Sequence, residues 1–292
     1  MIRTSRFTMW IAAIGITLAI SGAGNASPSN AAAAPNAEAT GQTSKIIKEC
    51  SEKERTTRLK LCSNYSIPGG IQLRIGGPEG PPVNGDCTVA FTVFKRSPLR
   101  FYGLTAGHCY KNNRPSVYSQ SDYFGQIQEA QYTADRDSAL VQHTNDNWNL
   151  TILSGSPTTT KQRTIRGTWK PGQAKTVCVG GSFTGEVCDV LIRSSTPRCY
   201  KFQVNGQEVE RCGLIAGQKI GSRIVQPGDS GGPVYRKAGS GFADAVGIII
   251  GGGSTTNGND YDMVYYRPIA SVLSDMGVEL FTCHDEAPEV CT

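Results

Sequence analysis

The chain is poor in the residue patterns on which metal, nucleic-acid and membrane proteins depend. Only three histidines occur in 292 residues. No Cys-x-x-Cys or His-x-x-x-His spacing is present, so no metal site is expected, and no motif calls for a cofactor. Charged residues make up 18% of the chain, and the net charge of +5 is spread along it. No basic cluster is interleaved with aromatics, which argues against a nucleic-acid partner. Beyond the first residues, no apolar run is long enough to cross a bilayer. A helical period is missing almost everywhere.

The N-terminus carries a processing signal. Arg3 and Arg6 precede an apolar run from Trp10 to Ala23, and Gly24-Asn25-Ala26 follows as a small-residue cleavage site. This pattern predicts a signal peptide over 1–26 and export of the rest. Residues 27 to 45 hold almost no large apolar side chain. From Lys45 to Lys60 there are six basic and three acidic residues. Residues 27–66 are therefore expected to be a propeptide or a disordered, charged segment. Ten cysteines in an exported chain predict five disulfides in an oxidising, extracellular compartment. Proximity pairs Cys199 with Cys212, Cys283 with Cys291, and Cys50 with Cys62. No attachment to a membrane is expected once the signal is removed.

After residue 83 the chain reads as short strands broken by turns. Val89, Phe91 and Val93 alternate with Ala90, Thr92 and Phe94, as in a strand with two differently packed faces. Similar runs occur at Ser138–Gln142, Ala174–Val179, Val187–Ile192, Ile220–Val225 and Ala243–Ile250. With 34 glycines and 15 prolines, this pattern suits an all-β barrel or sandwich. One helix is predicted near the end: Pro268 opens a run with Ile269, Val272, Leu273 and Met276 at helical spacing, and Gly277 stops it.

Three segments carry chemistry. Pro227-Gly228-Asp229-Ser230-Gly231-Gly232-Pro233 presents a serine on a glycine-rich turn. Leu104-Thr105-Ala106-Gly107-His108-Cys109 places a histidine upstream, and Asp137-Ser138-Ala139-Leu140-Val141 supplies an acid between them. A serine hydroxyl needs an adjacent base to become a nucleophile, and an imidazole is the side chain best suited to that work at neutral pH, which makes His108 the candidate. Asp137 would fix the tautomer of His108 and stabilise its imidazolium. The turn around Ser230 aims the Gly228 and Ser230 N–H groups at one point, where an oxyanion could sit. His143 reads as a strand-end residue and His284 as a surface one.

The order His, Asp, Ser and the three motifs resemble the chymotrypsin-like serine proteases, most closely the bacterial branch of α-lytic protease and the streptogrisins. The resemblance covers roughly residues 83 to 280. It favours Asp137 over Asp135, because Asp-x-Ala-x-Val is the family pattern. It implies two antiparallel six-stranded Greek-key β-barrels with a C-terminal helix. The protease domain would run over 67–282, with barrels at about 83–165 and 166–266, the helix at 268–276 and a disulfide tail at 283–292. It also implies a Cys87–Cys109 bridge beside His108 and a Cys178–Cys188 hairpin bridge. The expected activity is a monomeric, secreted serine endopeptidase acting on protein or peptide substrates; a catalytically inactive binding or adhesion module is the alternative.

The match has departures. Ile250-Gly251-Gly252 stands where the family usually has Ser-Gly-Gly, so Asp137 lacks that hydroxyl partner. Val179 stands where bacterial relatives usually place an arginine, so Asp229 lacks an obvious counter-ion. A mature start is expected between Cys62 and Ile75. The substrate pocket is expected to involve Ile224, Ile250, Gly251 and Gly252 and to favour Phe, Tyr, Leu or Met, unless Asp260 or Asp262 folds into it.

Overall fold

The structure, a computed structural model, describes residues 56–59, 61, 67–76, 86–110, 116–119, 122–144, 147–170, 173, 175–204, 206–255, 261–286 and 291. The expected signal peptide, Cys50, Cys62 and Asp260 lie outside the described residues. In chain order the strands are β1 (Ile67–Gly69), β2 (Gln72–Ile75), β3 (Asp86–Thr88), β4 (Thr92–Arg96), β5 (Leu99–Thr105), β6 (Ser116–Ser119), β7 (Asp122–Tyr132), β8 (Asp137–His143) and β9 (Trp148–Leu153). There follow β10 (Gln162–Thr168), β11 (Thr176–Gly181), β12 (Gly185–Ile192), β13 (Arg198–Val204), β14 (Gln207–Gln218), β15 (Pro233–Lys237), β16 (Phe242–Gly253) and β17 (Met263–Pro268). Helix α1 (Ile269–Met276), strand β18 (Glu279–Leu280) and helix α2 (Cys283–Glu286) close the chain.

Both sheets curl into barrels. In the first, β4 pairs with β5, β5 with β8, β8 with β7, β7 with β6, β6 with β2 and β2 with β3, all antiparallel. Only the buried residues Val89, Ala90 and Phe91 separate β3, at one end of the sheet, from β4, which β18 flanks at the other, so one bent segment brings the two ends together. In the second, β16, β15, β11, β12, β14 and β17 pair in a closed antiparallel ring of six. Closure removes the unpaired edges that make open sheets aggregate. The ring interior is filled by Val177, Val179, Ile215, Ile224, Val234, Val246 and Tyr266 among others. Each such side chain contributes on the order of 1.5–3 kcal/mol by leaving water.

Several boundaries differ from the sequence expectation. The first barrel begins at β2 rather than near residue 83, and β9 and β10 join the second sheet through a parallel pairing of β10 with β16. Ile220–Val225 is not a strand but a turn followed by extended chain, with Ile220 exposed to solvent. Its alternation arises because Ile224 and Val225 plug the second core while their neighbours face out. The β13–β14 hairpin was not expected at all. Its distal half carries charges on both faces, so no apolar alternation marks it. Helix α1 forms where the spacing placed it, burying Ile269, Val272 and Met276 and ending at Gly277 in the left-handed region (φ 60°).

The charged N-terminal segment also departs from expectation. Thr56 and Arg58 are buried, and Leu61 packs on the core. The Arg58 carbonyl accepts the Gln72 N–H (2.8 Å), and its guanidinium donates to the Leu153 carbonyl (2.5 Å). A Cβ on Gly70 would lie 2.6 Å from Arg58 Nη1, so the close approach requires glycine there. Burial pulls the Arg58 pKa down, and the nearby carboxylates Glu186 and Asp229 oppose that pull by favouring its charge. The described end of a segment expected to be a propeptide or disordered, residues 56–59, thus packs on the fold.

Candidate active site

The serine loop is bolted to the first barrel. Thr88 N–H donates to the Ser230 carbonyl (2.7 Å), and Thr88 Oγ1 donates to the Gly228 carbonyl (2.9 Å). Thr105 Oγ1 donates to the Thr88 carbonyl (2.8 Å) and lies only 2.1 Å from where a Cβ on Gly231 would be. Gly228 and Gly231 both have positive φ, 98° and 82°. These glycines permit a turn that other residues resist.

That turn sorts its backbone donors. Asp229, Gly231 and Gly232 N–H groups bond to the carbonyls of Gln226, Ile249 and Asp229. Among the described residues, the Gly228 and Ser230 N–H groups have no such partner, and both flank the Ser230 side chain. Asp229 is fully buried and points away from the cleft. It accepts hydrogen bonds from the N–H groups of Phe183 (2.9 Å), Thr184 (3.2 Å) and Gln226 (2.9 Å), and from Thr184 Oγ1. Burial pushes its pKa up, against the pull of these donors. The missing arginine at Val179 is thus answered by a cage of neutral donors rather than by a direct ion pair.

His108 sits on a short 3-10 turn (Gly107–Cys109) after β5, pinned by the Cys87–Cys109 disulfide. Asp137 opens β8. Its carboxylate meets His108 Nδ1 at 2.9 and 3.1 Å and accepts the His108 backbone N–H at 2.8 Å. Burial acts to raise the Asp137 pKa, but the charge and hydrogen bonds of His108, with Arg211, outweigh it and hold the carboxyl below its ordinary range. Asp135 is exposed and takes no part. No hydrogen bond joins Ser230 Oγ to His108 among the described residues.

Two adjoining cavities share Gly251 and Gly252. One, about 130 Å³, is lined by Val225, Gln226, Pro227, Ser230, Ile249 and Tyr261 as well. The other, about 200 Å³, has His108, Asp137, Tyr132, Phe202, Arg211 and Ile250 in its walls. Ile224 does not line the first; it is fully buried behind Val225 in the second core. Ile250 faces His108 rather than the Ser230 cavity. Asp262 is turned away and bonded to the Thr255 N–H (2.8 Å) and hydroxyl. His143 ends β8 inside the first barrel against Phe124 and Trp148, and His284 is exposed on α2.

Four disulfides are described: Cys87–Cys109, Cys178–Cys188, Cys199–Cys212 and Cys283–Cys291. The third ties β13 to β14. From that hairpin to the β7–β8 end of the first barrel, Cys212 N–H donates to the Ala134 carbonyl (2.8 Å), and the Arg211 guanidinium stacks on Tyr132 at 4.3 Å. Phe202 meets Tyr265 edge-on at 5.0 Å and would lie 3.0 Å from a Cβ on Gly251. The hairpin therefore forms one wall of the cleft. Sequence reasoning missed Tyr132, Phe202 and Arg211; the Cys199–Cys212 spacing was the one hint of a hairpin here.

Two β-barrels meeting at a cleft that holds a Ser, a His–Asp pair and two spare N–H groups define a chymotrypsin-fold protein. Residues 75–274, more than half of the chain, match the trypsin family model, and the chain belongs to that family of serine endopeptidases. Among solved structures, Thermobifida fusca protease A is 23% identical, with a TM-score of 0.55 over 74% of this chain and 98% of that one. Nocardiopsis protease is 24% identical, with a TM-score of 0.55 over 74% and 99%. A glutamic acid-specific serine protease, described as using a histidine triad in substrate binding, is 20% identical with a TM-score of 0.56 over 74% and 100%. At these identities the likeness concerns the fold. No curated protein matches the sequence.

Proposed function

We propose that the chain is a secreted endopeptidase working through an acyl-enzyme, with Ser230 as nucleophile, His108 as general base and Asp137 as its partner. In this reading Ser230 Oγ attacks the scissile carbonyl while His108 Nε2 takes its proton. Asp137 stabilises the imidazolium through Nδ1. The carbonyl oxygen, now negative, is received by the Gly228 and Ser230 N–H groups. Collapse breaks the C–N bond, and His108 returns the proton to the leaving amine. Water then repeats the sequence to free the enzyme. The observation that carries this reading is the pair of unengaged N–H groups in a loop whose other N–H groups are all bonded. Serine–histidine hydrogen bonds commonly form only once substrate fills the cleft. Ile250 removes a hydroxyl but leaves Asp137 bonded to His108 through both its backbone and its ring.

The test is covalent labelling by a fluorophosphonate. Wild-type protein is expected to label at Ser230, and Ser230→Ala not at all. Unlabelled, folded wild type would instead indicate a binding module.

The cavity beside Ser230 supports an apolar preference at the residue before the cut. Val225, Ile249 and the Tyr261 ring line it, and Asp262 is occupied elsewhere, so no described carboxylate awaits an Arg or Lys. An unpaired cation there would cost several kcal/mol. Nor does a histidine lie there, since His143 and His284 are placed elsewhere. In matched peptides, kcat/KM should be highest for Phe, Tyr, Leu or Met; a tenfold advantage for Arg would overturn this. Arg58 also bears on maturation. A start between Cys62 and Ile75 would remove this buried side chain, whereas a cut before Thr56 would keep it, and N-terminal sequencing of active secreted protein distinguishes the two.

A further inference from the structure

We propose that Arg211 is a positioning residue of the catalytic pair, its fixed cation opposing the uptake of a further proton by His108 and Asp137 together. The idea rests on the assignment of His108 and Asp137 above. It begins from a shortage. Asp137 is 3% exposed, yet among the described residues His108 alone donates hydrogen bonds to it. Ile250 supplies none. A carboxylate removed from water with a single hydrogen-bonding residue needs further stabilisation of its charge.

The β13–β14 hairpin brings that charge. Arg211 is fixed on three sides. The Cys199–Cys212 disulfide ties the next residue to the facing strand. Cys212 N–H is anchored on the Ala134 carbonyl, three residues before Asp137. The guanidinium stacks on Tyr132, which is the register partner of Asp137 across β7 and β8. Arg211, His108 and Asp137 line one cavity, and Arg211 is one of the two groups whose charge favours ionised Asp137. Among the other charged groups nearby, Arg136 and Arg267 both pair with Asp275, at 3.7 and 2.5 Å, and Lys201 pairs with Glu208. Asp135, on the loop before β8, and Glu210, next to Arg211 on β14, are exposed to solvent. The aromatic neighbour is Tyr132, which offers its ring face to the cation.

The consequence has a definite sign. A proton added to the His108–Asp137 pair places new positive charge near a fixed cation, so Arg211 opposes that proton. Removing Arg211 makes protonation easier and moves the acid limb of kcat/KM to higher pH. Arg211 is half-buried, so the shift is smaller than for a fully desolvated pair, about half a pH unit.

The experiment compares pH profiles of kcat/KM for wild type, Arg211→Gln and Arg211→Lys, each normalised by fluorophosphonate titration of active sites. Arg211→Gln should shift the acid limb up by about half a unit, a roughly threefold loss on that limb, and Arg211→Lys should restore most of it. Adding about 1 M salt should move the wild-type limb toward that of Arg211→Gln and leave the variant's limb in place, because screening removes the same interaction. A purely structural role would lower activity at every pH without moving the limb. Superimposable limbs for wild type and Arg211→Gln, or a wild-type limb indifferent to salt, would overturn the proposal. Labelling of Ser230→Ala would instead overturn the underlying assignment of the site.

Discussion

Strand β14 passes through two environments, and they hold its halves by different means. From Leu214 to Gln218 its side chains are buried in the closed ring of the second barrel, hydrogen-bonded to β12 on one side and β17 on the other. From Gln207 to Glu210 it belongs to a two-stranded arm whose side chains are mostly exposed. The barrel half is held by apolar burial and closure. The arm is held by the Cys199–Cys212 bridge, by the Lys201–Glu208 pair and by aromatic contacts of Tyr200 and Phe202 with Tyr265. An isolated hairpin is marginal in water, so these few ties decide whether the arm stays on the cleft. The catalytic loop depends on the barrels; Arg211 depends on the arm.

The comparison is broken most severely at Gly231, where the serine loop meets the first barrel. A methyl group there would sit 2.1 Å from Thr105 Oγ1 and 2.5 Å from the Thr88 carbonyl, on a backbone with φ 82°. Gly231→Ala must move the loop and with it the Ser230 N–H. Loss of one oxyanion donor costs on the order of 100- to 1000-fold in rate. We expect kcat/KM to fall by at least that much, measured per labelled active site, while changes at the arm tip leave the labelling rate intact.

A second prediction probes the first barrel alone. His143 is packed between Phe124 and Trp148, and burial lowers its pKa from 6.5 to about 4. The folded value lies below the unfolded one, so the neutral ring adds stability that is full above pH 6.5. That stability is lost as pH falls from about 6.5 to about 4. The total is about 3 kcal/mol. His143→Gln should flatten the pH dependence of urea unfolding across this window. An unchanged slope would place the acid sensitivity elsewhere.

What could be read from the sequence follows the same division. The barrels announce themselves wherever one face of a strand is buried, as at Asp137–His143 and Phe242–Gly253, because burial writes alternation or apolar runs into the chain. The catalytic loop was legible because its chemistry needs particular residues in sequence. Helix α1 was legible from one apolar stripe and a terminal glycine. The arm was not, since Lys201, Glu208, Glu210 and Arg211 carry no burial signal and its apolar residues answer to Tyr265, more than fifty residues later. Arg58 was misread for the converse reason: a charge that is buried looks in sequence like one that is not. Ile220–Val225 shows the opposite error, in which core plugs on an extended loop mimic a strand.

The smallest effect expected is on global stability when the arm is untied. Chain-entropy arguments assign roughly 3 kcal/mol to a bridge closing a loop of this length, and Cys199 and Cys212 are 13 residues apart. The ring of β11, β12, β14, β15, β16 and β17 does not pass through that loop, so the arm can open while the barrel stays closed. Local opening of this kind is governed by its own free energy rather than the global one. The double variant Cys199→Ser/Cys212→Ser should therefore lose less than about 1 kcal/mol in urea unfolding of the barrel. It should nonetheless be cut faster by trypsin near Lys201 and Arg211, and its acid limb should move in the direction of Arg211→Gln. A loss of the full 3 kcal/mol would mean that arm and barrel unfold as one unit, and the distinction between them would fall.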